Sequence, residues 1–267
     1  MHESTQQYVR DSDIAYDYDR YFAVNELFKY DSEVLAQWFC VPGSLIDFGC
    51  GTGRHILQFV RRGFEVTGMD MSEHMLAITR EKLGQENLSA QLIQSDFCTE
   101  LHGSSTGDGI PEPVRFDYGL CMFSTLGLIY GRENRRRFLD NVRRLLKPSG
   151  QLALHVHNRG HNWFSHEGRM FLVGNFIRSR LGRAEIGDKY LSTYRGIAGM
   201  YIHVFSRAEI IRLLSECGFA VQEIIALNSR RNGPLQSRWF RDLRANGFLI
   251  RAGVRETEPQ ISQIYTD

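Results

Sequence analysis

Asp47, Asp70 and Asp96 each end a short apolar run, and the first is followed at once by Gly49-Cys50-Gly51-Thr52-Gly53. Leu45 to Phe48 reads as a buried strand. The glycine-rich turn after it opens a helix that starts near Arg54 and carries Ile56, Leu57, Phe59 and Val60. A strand, a glycine turn and a helix make a cradle for a nucleotide-type ligand. The glycines alternate, and Arg54 stands where a dinucleotide fingerprint has its third glycine. Asp47 sits at the mouth of the turn, where a carboxylate repels a pyrophosphate and attracts an ammonium group. At about 4 Å and an effective dielectric near 20, one such charge pair is worth roughly 4 kcal/mol in either direction. The sign points to a cationic ligand without phosphates.

S-adenosylmethionine has the matching parts: an ammonium, a sulfonium, a ribose and an adenine. Asp70 ends the run Phe64 to Asp70, a little over twenty residues past Asp47, where a carboxylate accepts from ribose hydroxyls. Met71 can lie against one adenine face. Asp96 ends the run Gln91 to Phe97 and can accept from the adenine amino group, while the Phe97 amide and ring can bond and cover the base. Cys50 and Cys121 fall near the ligand, with small apolar filler as the alternative reading of each.

If the sulfonium of such a ligand gave up its methyl group, the step would be an in-line displacement with a good neutral leaving group. It needs alignment and exclusion of water, and a base only when the acceptor must lose a proton. The acceptor should meet residues that follow the fourth and fifth strands. Ser124 follows one and either bonds the acceptor or caps the next helix. His155-Val156-His157-Asn158-Arg159 ends the other. His157 is the candidate base or orienting group, a backbone-held histidine being the alternative, and Asn158 and Arg159 are candidate acceptor contacts. No acidic residue follows these histidines at ligand spacing, so no metal site is expected. Asn-Pro-Pro-Tyr, Asp-Pro-Pro-Tyr and Pro-Cys motifs are missing, which counts against exocyclic base nitrogens and pyrimidine C5 as acceptors.

Alternating strands and helices must position these groups, giving a parallel sheet with helices on both faces. Residues 12–39 read as helical, with Tyr16, Tyr18, Tyr21, Phe22, Phe28 and Tyr30 as aromatic positions. Strands are expected at about 45–48, 64–69, 89–95, 116–123, 151–157, 219–227 and 247–254. Helices are expected at about 54–62, 73–83, 132–146 and 207–217. Residues 102–114, rich in Gly, Ser and Pro, read as a surface loop. Trp163, Phe164, Met170, Phe171, Leu172, Val173, Phe176 and Ile177 supply apolar surface for a cover over the acceptor.

The chain resembles the class I S-adenosylmethionine-dependent methyltransferases, most closely from Gly49 through Asp70 to Met75. The resemblance covers residues 40–155 firmly and 205–255 more loosely. It implies an α/β, doubly wound, seven-stranded, mostly parallel sheet, the Rossmann-like methyltransferase fold, with an antiparallel seventh strand. It also implies S-adenosylmethionine as cofactor, with S-adenosylhomocysteine as product. The expected division is an N-terminal helical segment closing over the cofactor (1–39), a cofactor-binding core (40–157), a substrate-cap insertion (158–204), the C-terminal part of the sheet (205–255) and a tail (256–267). Tyr201, His203 and Phe205 are similar to a Tyr-x-His-x-Phe element of tRNA wobble-uridine methyltransferases, which makes Tyr201 and His203 candidate substrate contacts.

Composition bounds the rest. The 267 residues are 42% hydrophobic and 24% charged, as in ordinary globular chains. No run approaches the roughly 20 apolar residues of a membrane span, so no membrane partner is expected. The five cysteines are scattered without paired metal spacing, which suits a reducing cytoplasm. Net charge is +1 but uneven: residues 1–158 hold a balance of −5, residues 159–255 of +9 and residues 256–267 of −3. The arginine-rich stretch fits an anionic acceptor, small or polymeric. The first-choice acceptor is a small molecule with an oxygen or nitrogen nucleophile. tRNA is the second choice, and a non-enzymatic cofactor-binding regulator is the third.

Overall fold

The computed structural model describes residues 2–23, 27–96, 115–194, 197–237 and 239–255. In chain order the elements are α1 (Glu3–Arg10), α2 (Ser12–Ala23), α3 (Leu27–Trp38), β1 (Ser44–Phe48), α4 (Arg54–Val60), β2 (Glu65–Asp70), α5 (Glu73–Gln85) and β3 (Gln91–Gln94). Then follow β4 (Phe116–Cys121), α6 (Thr125–Leu128), α7 (Arg132–Leu145), β5 (Leu146–His157), a 3-10 turn (Gly160–Phe164) and α8 (His166–Arg180). The chain closes with β6 (Asp188–Tyr194), β7 (Ile197–His203), α9 (Arg207–Glu216), β8 (Phe219–Ala226), α10 (Arg241–Arg244) and β9 (Gly247–Val254).

Local chemistry sets several of these boundaries. Ser72 caps α5 by accepting from the Met75 amide, and Ser206 with Glu209 forms a reciprocal capping box on α9. Gly218, at φ 79°, ends α9. The helix over α1 was missed in the sequence; its N-cap, His2, accepts from the Ser4 amide. Residues 97–114, which include Phe97, Cys98 and the expected surface loop, lie outside the described residues.

Seven strands form one sheet in the order β3-β2-β1-β4-β5-β9-β8. β1 pairs parallel with β2 and β4, and β5 with β4, whereas β9 runs antiparallel to both β5 and β8. The expected doubly wound, seven-stranded, mostly parallel sheet is therefore what the chain forms. Alternation along each strand splits the core into two layers. Ile46, Phe48, Leu154 and Val156 pack with Phe138 and Val142 of α7 and Ile210 and Leu214 of α9. Leu45, Val66, Leu120 and Ala153 pack with Leu35 of α3, Ile56 of α4 and Leu76 of α5. Asp47 and His155 therefore point into the second layer, among apolar neighbours.

Between β5 and α9 the chain inserts the 3-10 turn, α8 and the β6–β7 hairpin. The hairpin is a separate two-stranded sheet. Its return strand rejoins the main body where the Phe205 amide donates to the His157 carbonyl and the Arg159 amide donates to the Phe205 carbonyl. α1 lies against β7, and Ser4 Oγ accepts from the Tyr201 amide at 3.0 Å.

Candidate active site

The turn after β1 needs its glycines for two different reasons. Gly49 has φ 75°, and a Cβ there would lie 2.7 Å from the Thr125 side chain. Gly51 has φ 54°, a left-handed conformation that side chains disfavour. Both line a cavity of about 940 Å³. Gly53, at φ 80°, does not line it; a Cβ there would lie 2.5 Å from Thr79 Cγ2 on α5. It is packed against α5 and is not among the residues that line the cavity.

Asp70 holds the turn from the next strand. Oδ2 accepts from the Gly51 amide and Oδ1 from the Ser72 amide, both at 2.9 Å. A carboxylate offers about four acceptor directions, so acceptor capacity remains for a ligand hydroxyl. Burial raises the Asp70 pKa, and the hydrogen bonds from Ser72, Gly51 and Met71 oppose that rise. Met71, Ser72 and Asp96 line the same end of the cavity.

Asp47 is placed differently from the expectation. It is 1% exposed, it does not line the cavity, and its Oδ2 has no hydrogen-bond partner. Burial pushes its pKa up to about 7, against the pull of Arg54 and with a further push from Asp70. A carboxylate one layer behind the turn acts on a ligand through its field and not by contact. Cys121 is likewise buried outside the lining, its thiol pushed up to about 12 by burial. It is core filler.

At the other end, His157 and Asn158 line the cavity. Burial, followed by the charges of Arg231, Lys189 and His161, pushes the His157 pKa down to about 3, so the ring is neutral near pH 7. The Asn158 side chain is fully engaged: Nδ2 donates to the Asp242 and Ala245 carbonyls at 2.7 Å each, and Oδ1 accepts from the Gly160 amide. It fastens the chain before β9 to the 3-10 turn and has no donor left for an acceptor.

Four other candidates do not reach the cavity. Ser124 is fully buried in a left-handed conformation, and its Oγ accepts from the His157 amide at 3.3 Å, so it neither caps α6 nor faces a ligand. Arg159 donates to the Ile186 carbonyl and pairs with Glu209. Met200, Ile202 and Val204 line the cavity, so strand alternation turns Tyr201, His203 and Phe205 away from it. All three are fully buried. The Tyr201 hydroxyl donates to Asp188 at 2.8 Å and accepts from Arg135 at 3.2 Å. His203 lies between Asp188 on Nδ1 at 2.9 Å and Glu209 on Nε2 at 2.7 Å. Arg135 Nη2 donates to Glu185, completing a knot that ties α7, the hairpin and α9 together. Glu185, Asp188 and His203 offer three ligand-type atoms within 4.8 Å of one another, but the cation beside them is the Arg135 guanidinium.

Several lining residues carried no signal that the sequence reading used. Thr5, Tyr8 and Val9 of α1, Leu191 and Tyr194 of β6, and Leu128 and Ile129 at the end of α6 all line the cavity. Lys189 donates to Asn162 Oδ1 at 2.6 Å, lies 5.3 Å from the Phe171 ring centroid, and has its pKa lowered by burial. Arg231, in the loop between β8 and α10, stacks over the Phe123 ring at 5.4 Å.

The residues present fit S-adenosylmethionine. The cradle at Gly49 has no room for a side chain, Asp70 retains acceptor capacity toward the cavity, and Asp47 supplies the right sign of charge behind it.

Residues 45–150 match the family described as a methyltransferase domain. A protein of Geobacillus sp. (strain WCH70), provisionally named a methyltransferase, is 32% identical over 114 residues, which span 43% of this chain and 42% of that protein. Among solved structures, a SAM-dependent methyltransferase from Methanosarcina mazei superposes with a TM-score of 0.64 at 21% identity, covering 84% of this chain and 98% of the other. The 1,6-didemethyltoxoflavin-N1-methyltransferase of Burkholderia thailandensis, with its acceptor and S-adenosylhomocysteine bound, superposes with a TM-score of 0.58 at 16% identity, covering 91% and 84%. Over residues 45–150 the chain is similar to the methyltransferase domain family, and it has the fold of the S-adenosylmethionine-dependent methyltransferases.

Proposed function

We propose that this chain transfers the methyl group of S-adenosylmethionine to a small molecule held beneath the β6–β7 hairpin. The observation that carries this reading is the continuity of one cavity. It runs from the Gly49–Gly51 turn and Asp70 to an apolar chamber walled by Leu128, Ile129, Leu191, Met200 and Ile202. A regulator that only bound the cofactor would need no such chamber. The bound cofactor supplies an electrophilic methyl group on a good leaving group. The chain's own residues supply alignment and a dry site.

Asp70 takes the ribose hydroxyls and Asp96 the adenine amino group. His157 is a neutral hydrogen-bond acceptor beside the chamber. With a conjugate acid near 3 it is too weak to strip a proton from an alcohol, so its role is to orient the acceptor. Lys189 and Arg231 put positive charge on the same side. They favour an acceptor that arrives already deprotonated or with an acidic group. Once mass-spectrometric screening of acidic metabolites has identified an acceptor, Lys189→Met should raise its KM roughly tenfold or more while leaving cofactor affinity unchanged.

The basic balance of residues 159–255 is the feature that favours tRNA as a second reading. That reading requires tRNA affinity that falls steeply with salt.

Asp47 makes cofactor binding depend on pH. Its carboxyl is protonated in the free protein below about 7, and a cation bound in front of it lowers that value. Binding therefore releases a proton, and affinity should rise as pH climbs toward 7 and then level off. Calorimetry of S-adenosylmethionine binding in two buffers of different ionisation enthalpy checks this. A binding enthalpy independent of the buffer at pH 6 would remove Asp47 from the recognition of the ammonium group.

A further inference from the structure

The insertion was expected to turn its apolar residues toward the acceptor, but on α8 the amphipathic pattern is reversed. The buried residues of α8 are Gly168 and Asn175. Gly168 packs against the Asn162 backbone. Asn175 Nδ2 donates to the Glu185 and Asp188 carbonyls, and its Oδ1 accepts from the Gly187 amide. Polar bonds thus anchor the helix and leave its apolar stripe outside. Met170, Val173, Ile177 and Leu181 recur at helical spacing and are 64%, 57%, 53% and 61% exposed. Trp163 and Phe164 of the preceding 3-10 turn are 53% and 54% exposed. None of these six lines the cavity. A helix that hides its polar side and shows its apolar side is missing a partner.

Charge identifies the partner. Arg169, Arg178, Arg180 and Arg183 are exposed around the stripe, and none makes an ion pair with a described residue. Glu167 is the one carboxylate of α8. Glu185, just beyond it, is bonded inward to Arg135. A second copy docked on this face would bring the same cations against each other. An anionic sheet with an apolar interior fits both halves of the pattern. Among the described residues no helix is long and apolar enough to cross a membrane, and a helix lying in the headgroup plane needs no such length.

We infer that α8 and the 3-10 turn before it form a docking face for anionic phospholipid surfaces, with the apolar stripe entering the headgroup boundary and the arginines pairing with lipid phosphates. This does not depend on the methyltransferase reading.

The test is co-sedimentation of the full chain with vesicles of phosphatidylcholine alone and with about one third phosphatidylglycerol. The expected result is partition at least about tenfold stronger onto the anionic vesicles, weakened by salt. Ile177→Glu should abolish it, and Arg178→Glu with Arg180→Glu should reduce it by about fivefold or more per arginine. Both variants alter exposed side chains, and unchanged S-adenosylhomocysteine binding and melting temperature verify that they fold. Failure to bind the anionic vesicles at low salt, or equal partition onto both vesicle types, overturns the inference, as does undiminished binding by Ile177→Glu. A dimer in analytical ultracentrifugation that Ile177→Glu dissociates, without vesicle partition, assigns the face to a second copy and overturns it as well.

Discussion

Replacing Arg135 by alanine is expected to lower unfolding stability by about 3–5 kcal/mol in urea titrations, the cost of breaking a buried charged network by removing one partner. The Arg135 side chain is 1% exposed and is the largest fully buried side chain among the described residues. Its Nη1 donates to the Ile129 carbonyl at 3.0 Å and to the Tyr201 hydroxyl, and its Nη2 donates to Glu185. Without it, Glu185 loses its buried guanidinium partner and the Tyr201 hydroxyl, which bonds Asp188, loses its donor. Burial raises the pKa values of Asp188 and Glu209, but hydrogen bonds led by His203 outweigh it and hold both below the usual carboxylate range. The sign follows: stability from these two groups is present above their unfolded values and is lost as pH falls through the folded ones. Hydrogen exchange should show β6 and β7 opening in Arg135→Ala before the main sheet does. Arg135→Met, which keeps volume but not bonds, should behave similarly. A loss below about 1 kcal/mol in both variants would mean that packing alone fixes the hairpin.

The second large effect concerns the cofactor. Asp70→Ala should weaken S-adenosylhomocysteine binding by roughly 1–3 kcal/mol, about 5- to 150-fold. The mutation removes the proposed ribose acceptor. It also releases the Gly51 and Ser72 amides that the carboxylate now holds, so the turn loses its tether at the point of closest approach. Asp70→Asn separates the two contributions: it keeps one acceptor oxygen, so its loss should be smaller. Calorimetry showing unchanged affinity for Asp70→Ala would refute the ribose assignment.

The end of the cavity lined by Gly49, Gly51, Asp70, Met71 and Asp96 was legible because it is local. The strand, the turn and the two spaced acids place Gly49, Gly51, Asp70, Met71 and Asp96 around one end of the cavity, with no information needed beyond each strand's end. The acceptor half was poorly legible because its walls come from segments distant in sequence. Tyr201 and His203 were expected to meet the substrate, but on β7 they turn inward, and Met200, Ile202 and Val204 line the cavity. The physical reason is the knot around Arg135 and Asp188, which satisfies those polar groups internally. No single segment reveals it, because it draws on α7, β6, β7 and α9. α8 misled in the opposite direction: its apolar residues suggested a chamber wall, while Asn175 and Gly168 determine which side packs. Ser124 and Asn158 stand where acceptor contacts were expected, but their side chains bond backbone groups of β5, of the segment around α10 and of Gly160.

The chamber is enclosed by α1, the end of α6 and the inserted hairpin, while the glycine turn and its acids belong to β1 and β2. The two halves of the site therefore draw on separate stretches of chain. On the proposed methyl-transfer reading, substitutions confined to the enclosing segments would change the acceptor and leave the donor seat intact.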